Sequence, residues 1–208
     1  MTDRCHITFF IITTDTTTKF IARQKEKIRM TNHPVEMFDY HAWAIQTLLG
    51  RIKELPSSVL QQEVNTSFST IGEVFAHVYA LDKCWLQVLS GTSMPQALEA
   101  CLPLQQEILG YVVDEFAIAF RELAEEYRAW FRSQNDLEQS IVLDNPYAGT
   151  RSTRLSEIVL QAVNHGTYHR GNISTMLRQL GHASIMNDYS LYWYRQPARS
   201  HEVEESAK

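Results

Sequence analysis

Two histidines stand four positions apart in the stretch NHGTYHRGN, residues 164–172. Side chains at that spacing on a helix are neighbours on one face, so His165 and His169 can offer two imidazoles to one divalent ion if the face looks inward. A plainer account makes them two core histidines, each hydrogen-bonded to a neighbour. Two buried rings on adjacent turns would each need a desolvated partner, and the pair alone leaves both accounts open. A third imidazole is available from His77 in GEVFAHVYALDKCW, between Val74 and Leu81. Three neutral nitrogens, with the remaining positions left to water or substrate, make the catalytic rather than the structural type of metal site. Such an ion lowers the pKa of water or a thiol and polarises a carbonyl. Zinc or nickel suits imidazole ligands best, and iron or manganese is also compatible. The other histidines are less suited: His33 at a helix entry, His41 on the rim of a helix, His182 after a stop glycine, and His6 and His201 near the chain ends.

The elements that must position these rings are long amphipathic helices. The first is expected over about 34–55, entered through Asn32 and Pro34 and striped by Val35, Phe38, Ala42, Ile45, Leu49 and Ile52. The second starts near Thr70, where Glu73 completes a capping box; its stripe is Ile71, Val74, Val78, Leu81, Trp85 and Val88, and Gly91 closes it. A third is expected over 104–132, carrying Ile108, Tyr111, Val112, Phe116, Ala119, Leu123, Tyr127 and Trp130. Residues 134–152 break the period: Asn145, Pro146 and Gly149 mark a turn, and SIVL before it reads as a hairpin arm. The fourth helix, over 153–180, has the ladder Leu155, Ile158, Val159, Ala162, Gly166, Ile173, Met176 and Leu180. His165 and His169 complete that ladder, and His77 lies on the core stripe of the second helix. The expected fold is an all-α four-helix bundle with a short hairpin-like connection before the last long helix. Facing helices in a bundle lie about 8–10 Å apart, close enough for the three imidazoles to converge. The aromatic cluster YSLYWYR (189–195) is expected to fold back onto the bundle.

The chain has 208 residues, enough for one domain with a sizeable core. A net charge of -5, with acids and bases mixed along the chain, argues against a nucleic-acid partner and for small molecules or proteins. Cys5, Cys84 and Cys101 fit no metal or redox spacing and no disulfide framework, which suggests a reducing cytoplasm. No apolar run approaches the roughly 20 residues that span a bilayer, and ITFFII (7–12) is too short for a signal peptide. Residues 1–29 are expected to be an extension, disordered or upstream of a natural start at Met30; 30–195 form the domain, and 196–208 a disordered tail.

YHAWAIQTLL (40–49), EVFAHVYALDKCWL (73–86) and VNHGTYHRGNISTMLRQLG (163–181) resemble the DinB/YfiT-like superfamily of metal-binding four-helix bundles. The resemblance covers about 34–195, and its most specific part is the last motif, commonly N-H-x-x-x-H-R-G-Q in relatives. It implies a three-histidine metal site on His77, His165 and His169, the same rings the helix faces select. Tyr168 stands where many relatives carry histidine and Asn172 where glutamine is frequent; neither is one of the three ligand positions. For function the resemblance implies a divalent-metal-dependent transferase that activates a low-molecular-weight thiol, such as bacillithiol or mycothiol, in detoxification or stress response. A homodimer is plausible for the family. Two rivals are a metal-dependent hydrolase, for which no HExxH-type base is present, and a non-catalytic, stress-induced bundle that binds metal or a partner. Around the metal, Arg170 is expected to bind an anionic substrate group, and Tyr40 and Trp43 to line the pocket mouth. Each has a plainer alternative, a carboxylate pair for the arginine and core packing for the aromatics. Gly171 is expected to admit a close helix contact or leave room by the metal, and Cys84 to be a buried small hydrophobe.

Overall fold

A computed structural model of the chain describes residues 14–195, with side chains from His33 onward. The disordered tail expected after residue 195 and the first thirteen residues of the expected extension lie outside the described residues. Helix α1 is Thr14–Lys53, α2 Ile71–Leu89, α3 Met94–Ile108, α4 Val113–Ser133, α5 Leu155–Gln179 and α6 Tyr189–Trp193; a two-stranded sheet of β1, Ser140–Asn145, and β2, Gly149–Arg154, precedes α5. The bundle expected from the sequence is formed by α1, α2, α4 and α5, with α1 packed on α4 and α5, and α2 on α5. Among the described residues no helix is long and apolar enough to cross a membrane.

The starts of α2, α4 and α5 follow a common rule. Thr70 Oγ1 accepts the Glu73 amide at 3.1 Å, while Glu73 reaches back to accept the Ser69 amide at 2.7 Å. Glu115 and Glu157 do the same for the amides of Val112 and Arg154, at 2.8 and 2.9 Å. Each carboxylate satisfies an orphan donor and meets the positive end of its helix. After α5 the chain turns at Gly181 with φ 82°, a conformation that favours glycine.

Two expectations about helix boundaries are corrected. The first helix does not begin at Pro34 but runs through it from Thr14; a proline inside a helix removes one hydrogen bond without forbidding the rest. The third helix is not continuous over 104–132. A break at 109–112 separates α3 from α4, and α3 packs against α2 as an element outside the four-helix core. The apolar spacing of Ile108, Val112 and Phe116 carries across the break, so periodicity alone conceals it; Gly110 is the local signal. The expected hairpin is present, paired from Ser140↔Arg154 to Asn145↔Gly149. It closes on Leu143, which is buried in the core, and delivers the chain into α5.

Aromatic residues fill the core around Phe38, Trp85, Tyr127 and Trp130, and aliphatic and phenylalanine side chains fill it around Ile45, Phe75, Phe116 and Ile173. Phe38 and Tyr127 stack at 4.0 Å between ring centres and tie α1 to α4. The tail does fold back: Tyr192 on α6 is buried and meets Tyr40 and Trp43 at 5.9 and 5.5 Å.

Candidate metal centre

α2 and α5 carry the three histidines at the same level of the bundle. His77 is flanked on its own helix by the fully buried Ala76 and Val78, and His165 and His169 by Ala162, Gly166 and Ile173. These apolar neighbours fix the rotation of both helices, so the rings are directed by core packing. The three imidazoles offer ligand nitrogens that all lie within 4.8 Å of one another. His165 Nε2 is 3.2 Å from His77 Nε2 and 3.1 Å from His169 Nε2. Two nitrogens held at about 2.0–2.1 Å from one tetrahedral ion lie about 3.3 Å apart, so the spacing fits a shared ion.

Electrostatics favour the same assignment. Burial, ahead of the neighbouring imidazoles, pulls His165 down to about 3, and burial ahead of His77 takes His169 to about 4. Burial also lowers His77, against a hydrogen bond with Gln105 and the field of Asp82, which both raise it. At neutral pH the three rings therefore present lone pairs rather than charges, as metal ligation requires. The other partners of the rings are less uniform. Gln105 on α3 meets His77, and the Asn172 amide lies 3.4 Å from His169 Nδ1, able to accept its proton when the amide oxygen faces the ring. His165 Nδ1 is buried with no partner among the described residues. Phe68, from the loop before α2, covers the cluster with its ring 5.1 Å from His77 and 5.5 Å from His169. Exposed Tyr168 stands edge-on to His169 at 5.0 Å. Sequence reasoning missed Phe68 and Gln105, which a loop and the separate helix α3 bring in, and the contact of Asn172, which lies one turn after His169 on α5.

The expected substrate-binding residues do not join this cluster. Arg170 follows His169 directly, but successive helix residues point about 100° apart. Its guanidinium is buried and donates from Nη1 to His41 Nδ1 at 2.8 Å, and from Nη2 to Tyr40 Oη and Thr167 Oγ1 at 3.1 and 2.7 Å. Tyr40 is buried, and its hydroxyl donates to the Asn187 carbonyl at 3.1 Å. Trp43 packs between Tyr40 and Tyr192, with the Arg195 guanidinium 5.5 Å over its ring. Both aromatics face the returning tail.

His41 is not on the rim. It is 2% exposed, and with Arg170 donating to Nδ1 its own proton sits on Nε2 and goes to Asp82 Oδ2 at 2.9 Å. This Asp82–His41–Arg170 chain links α2, α1 and α5 through the interior. The sequence carried a signal for it: positions 38, 41 and 45, and 78, 82 and 85, are helical steps on apolar faces. The close helix contact expected at Gly171 occurs instead at Gly166, where a Cβ would collide with the His41 ring; one at Gly171 would meet open space. Cys84 is buried, and burial pushes its thiol up to about 12, which removes it as a nucleophile.

Comparison with known proteins agrees across sequence and fold. The model of the DinB family matches residues 30–204. Protein DinB of Bacillus subtilis (strain 168) is 36% identical over 165 residues, covering 79% of this chain and 96% of that protein. Among solved structures, a DinB-like protein from Bacillus cereus ATCC 10987 superposes with a TM-score of 0.52 over 71% of this chain and 91% of that one. At 19% identity that likeness speaks for the fold.

Proposed function

Because the chain belongs to the DinB family, we propose that His77, His165 and His169 hold one divalent ion and that the protein uses it to transfer a low-molecular-weight thiol to an electrophile, as a detoxification or stress activity. The observation that carries this reading is the convergence of three Nε2 atoms, held unprotonated by burial, at ion-sharing distances. The donor set of neutral imidazoles fits zinc or nickel first and iron or manganese next. When bound, such an ion lowers the pKa of a thiol that reaches it and so supplies a nucleophile at neutral pH.

The chain's own residues do the rest. Apolar neighbours on α2 and α5 hold the rings in one orientation, Gln105 bonds His77, and Asn172 holds the outer edge of His169. Phe68 covers one side and keeps water from the cluster, while half-buried His77 and His165 leave an approach for a small molecule. The thiol belongs to the substrate: neither described cysteine is exposed, and burial raises both thiols. The thiol is proposed over water as the nucleophile because the family resemblance points to relatives that use bacillithiol or mycothiol.

The test is consumption of a model electrophile by metal-loaded protein with bacillithiol, mycothiol, glutathione or coenzyme A. Turnover should require the metal and should vanish in His77→Ala. Fully metallated protein that turns over no thiol–electrophile pair would contradict the transferase and leave a metal-binding bundle.

A further inference from the structure

On the other side of α5 from the histidines lies a second concavity. Ser174 and Arg178 follow His165 and His169 at nine positions each, about two and a half helical turns, so they emerge on the opposite face. With Tyr40, Thr167 and Arg170 they wall a groove of about 380 Å³, closed on its outer side by the segment 184–188, which shares no lining residue with the histidine cluster. The segment is pinned in place. Ser184 Oγ donates to Ser174 Oγ at 2.9 Å, Tyr40 donates to the Asn187 carbonyl at 3.1 Å, and Arg51 Nε donates to the Ala183 carbonyl at 3.0 Å.

Two guanidiniums line the groove, and no carboxylate among the described residues is in contact with either. Arg170 is 2% exposed, and its described partners are an imidazole nitrogen and two hydroxyls. Three of its five N–H groups are thus used, and Nε is buried with no partner. The nearest compensation, Asp82, is reached only through His41. Arg178 has no ion-pair partner among the described residues, and Asp188 is the one acid among the lining residues. A fixed polar groove with hydroxyls, two arginines and unspent donors is built to recognise an oxyanion, since guanidinium forks match phosphate geometry.

We propose that this groove is a second ligand site, separate from the histidine cluster, that takes a phosphate group on Arg178 and the Arg170–Tyr40 corner. The phosphate is either free or the head of a small phosphomonoester. The hydroxyl of Ser174, which accepts from Ser184, keeps its own proton as a neutral donor to it. The site stands or falls independently of the thiol chemistry, because none of its residues touches the three histidines' ligand atoms.

The test is calorimetric titration of chelator-treated full-length protein, in chloride buffer, with inorganic phosphate and separately with glycerol phosphate. One saturable site per chain is expected, and loss of one charge-assisted contact in Arg178→Gln should weaken it about tenfold or more. Ser184→Ala should weaken it less, and His77→Ala should leave it unchanged. Tighter binding of the monoester assigns the site to a phosphorylated metabolite; equal or weaker binding assigns it to free phosphate. Absence of saturable binding for both probes overturns the proposal. So does binding that survives Arg178→Gln or disappears in His77→Ala. Arg178 is exposed, so its variant keeps the fold and a lost signal reports on the groove.

Discussion

The bundle interior holds histidine in two opposite settings. In the Asp82–His41–Arg170 chain each ring nitrogen meets a complementary group: Nδ1 accepts a hydrogen bond from a guanidinium and Nε2 donates one to a carboxylate. In the His77–His165–His169 cluster His165 Nε2 faces the like nitrogens of the other two rings at 3.2 and 3.1 Å, and complementarity is missing. In the first arrangement both ring nitrogens are satisfied without a guest, and the chain fastens three helices. The second is incomplete and becomes satisfied when a cation enters. Residue type alone does not distinguish a structural histidine from a ligand; what faces its nitrogens does.

The difference can be broken first at the completed chain. Arg170→Ala strands the buried Asp82 carboxylate behind His41 and should lower unfolding free energy by about 3–5 kcal/mol, read by denaturant titration. His77→Ala in chelator-treated protein should cost only about 1 kcal/mol, because that ring is half-buried and its ligand nitrogen has no complementary partner to lose. Equal losses would erase the distinction.

A smaller effect tests how tightly the two settings are pressed together. Gly166→Ala puts a methyl into the His41 ring and should destabilise by about 1–3 kcal/mol. His41→Ala should absorb much of that penalty, so the double variant should be less destabilised than the sum of the singles. Strict additivity would show that the ring and the glycine do not compete for the same space.

Acid should act on the incomplete cluster. Its rings have folded pKa values below the unfolded value near 6.5, to about 4 for His169 and about 3 for His165. Between about pH 6.5 and those values the unfolded chain binds more protons than the folded one, so this contribution is complete above pH 6.5 and is lost as pH falls. Chelator-treated protein should therefore lose stability from pH 7 to 5, and His165→Gln should flatten the slope. The smallest effect is at a helix start: Thr70→Ala removes the acceptor of the Glu73 amide and should cost about 1 kcal/mol.

How much of this could be read from the chain alone follows from the same physics. The three ligand candidates were legible because each falls on an apolar stripe of a long helix, where a polar ring needs a reason. Asp82 and His41 fall on such stripes too, yet pairing them requires knowing which helices face each other. The α3–α4 break escaped because apolar spacing continues across it. Its place next to His169 suggests for Arg170 an anionic substrate group at the metal, or a carboxylate pair. Helical rotation, invisible in adjacency, turns it to α1 and the outer groove instead.

The central claim is that the three histidines form one metal site, and direct stoichiometry tests it. Chelator-stripped protein should be titrated with zinc and with nickel against a chromophoric competitor, beside His165→Ala. The account predicts one tight ion per chain for the unaltered protein and loss of that site in the variant. Absence of a tight site, or one that His165→Ala leaves intact, would contradict it.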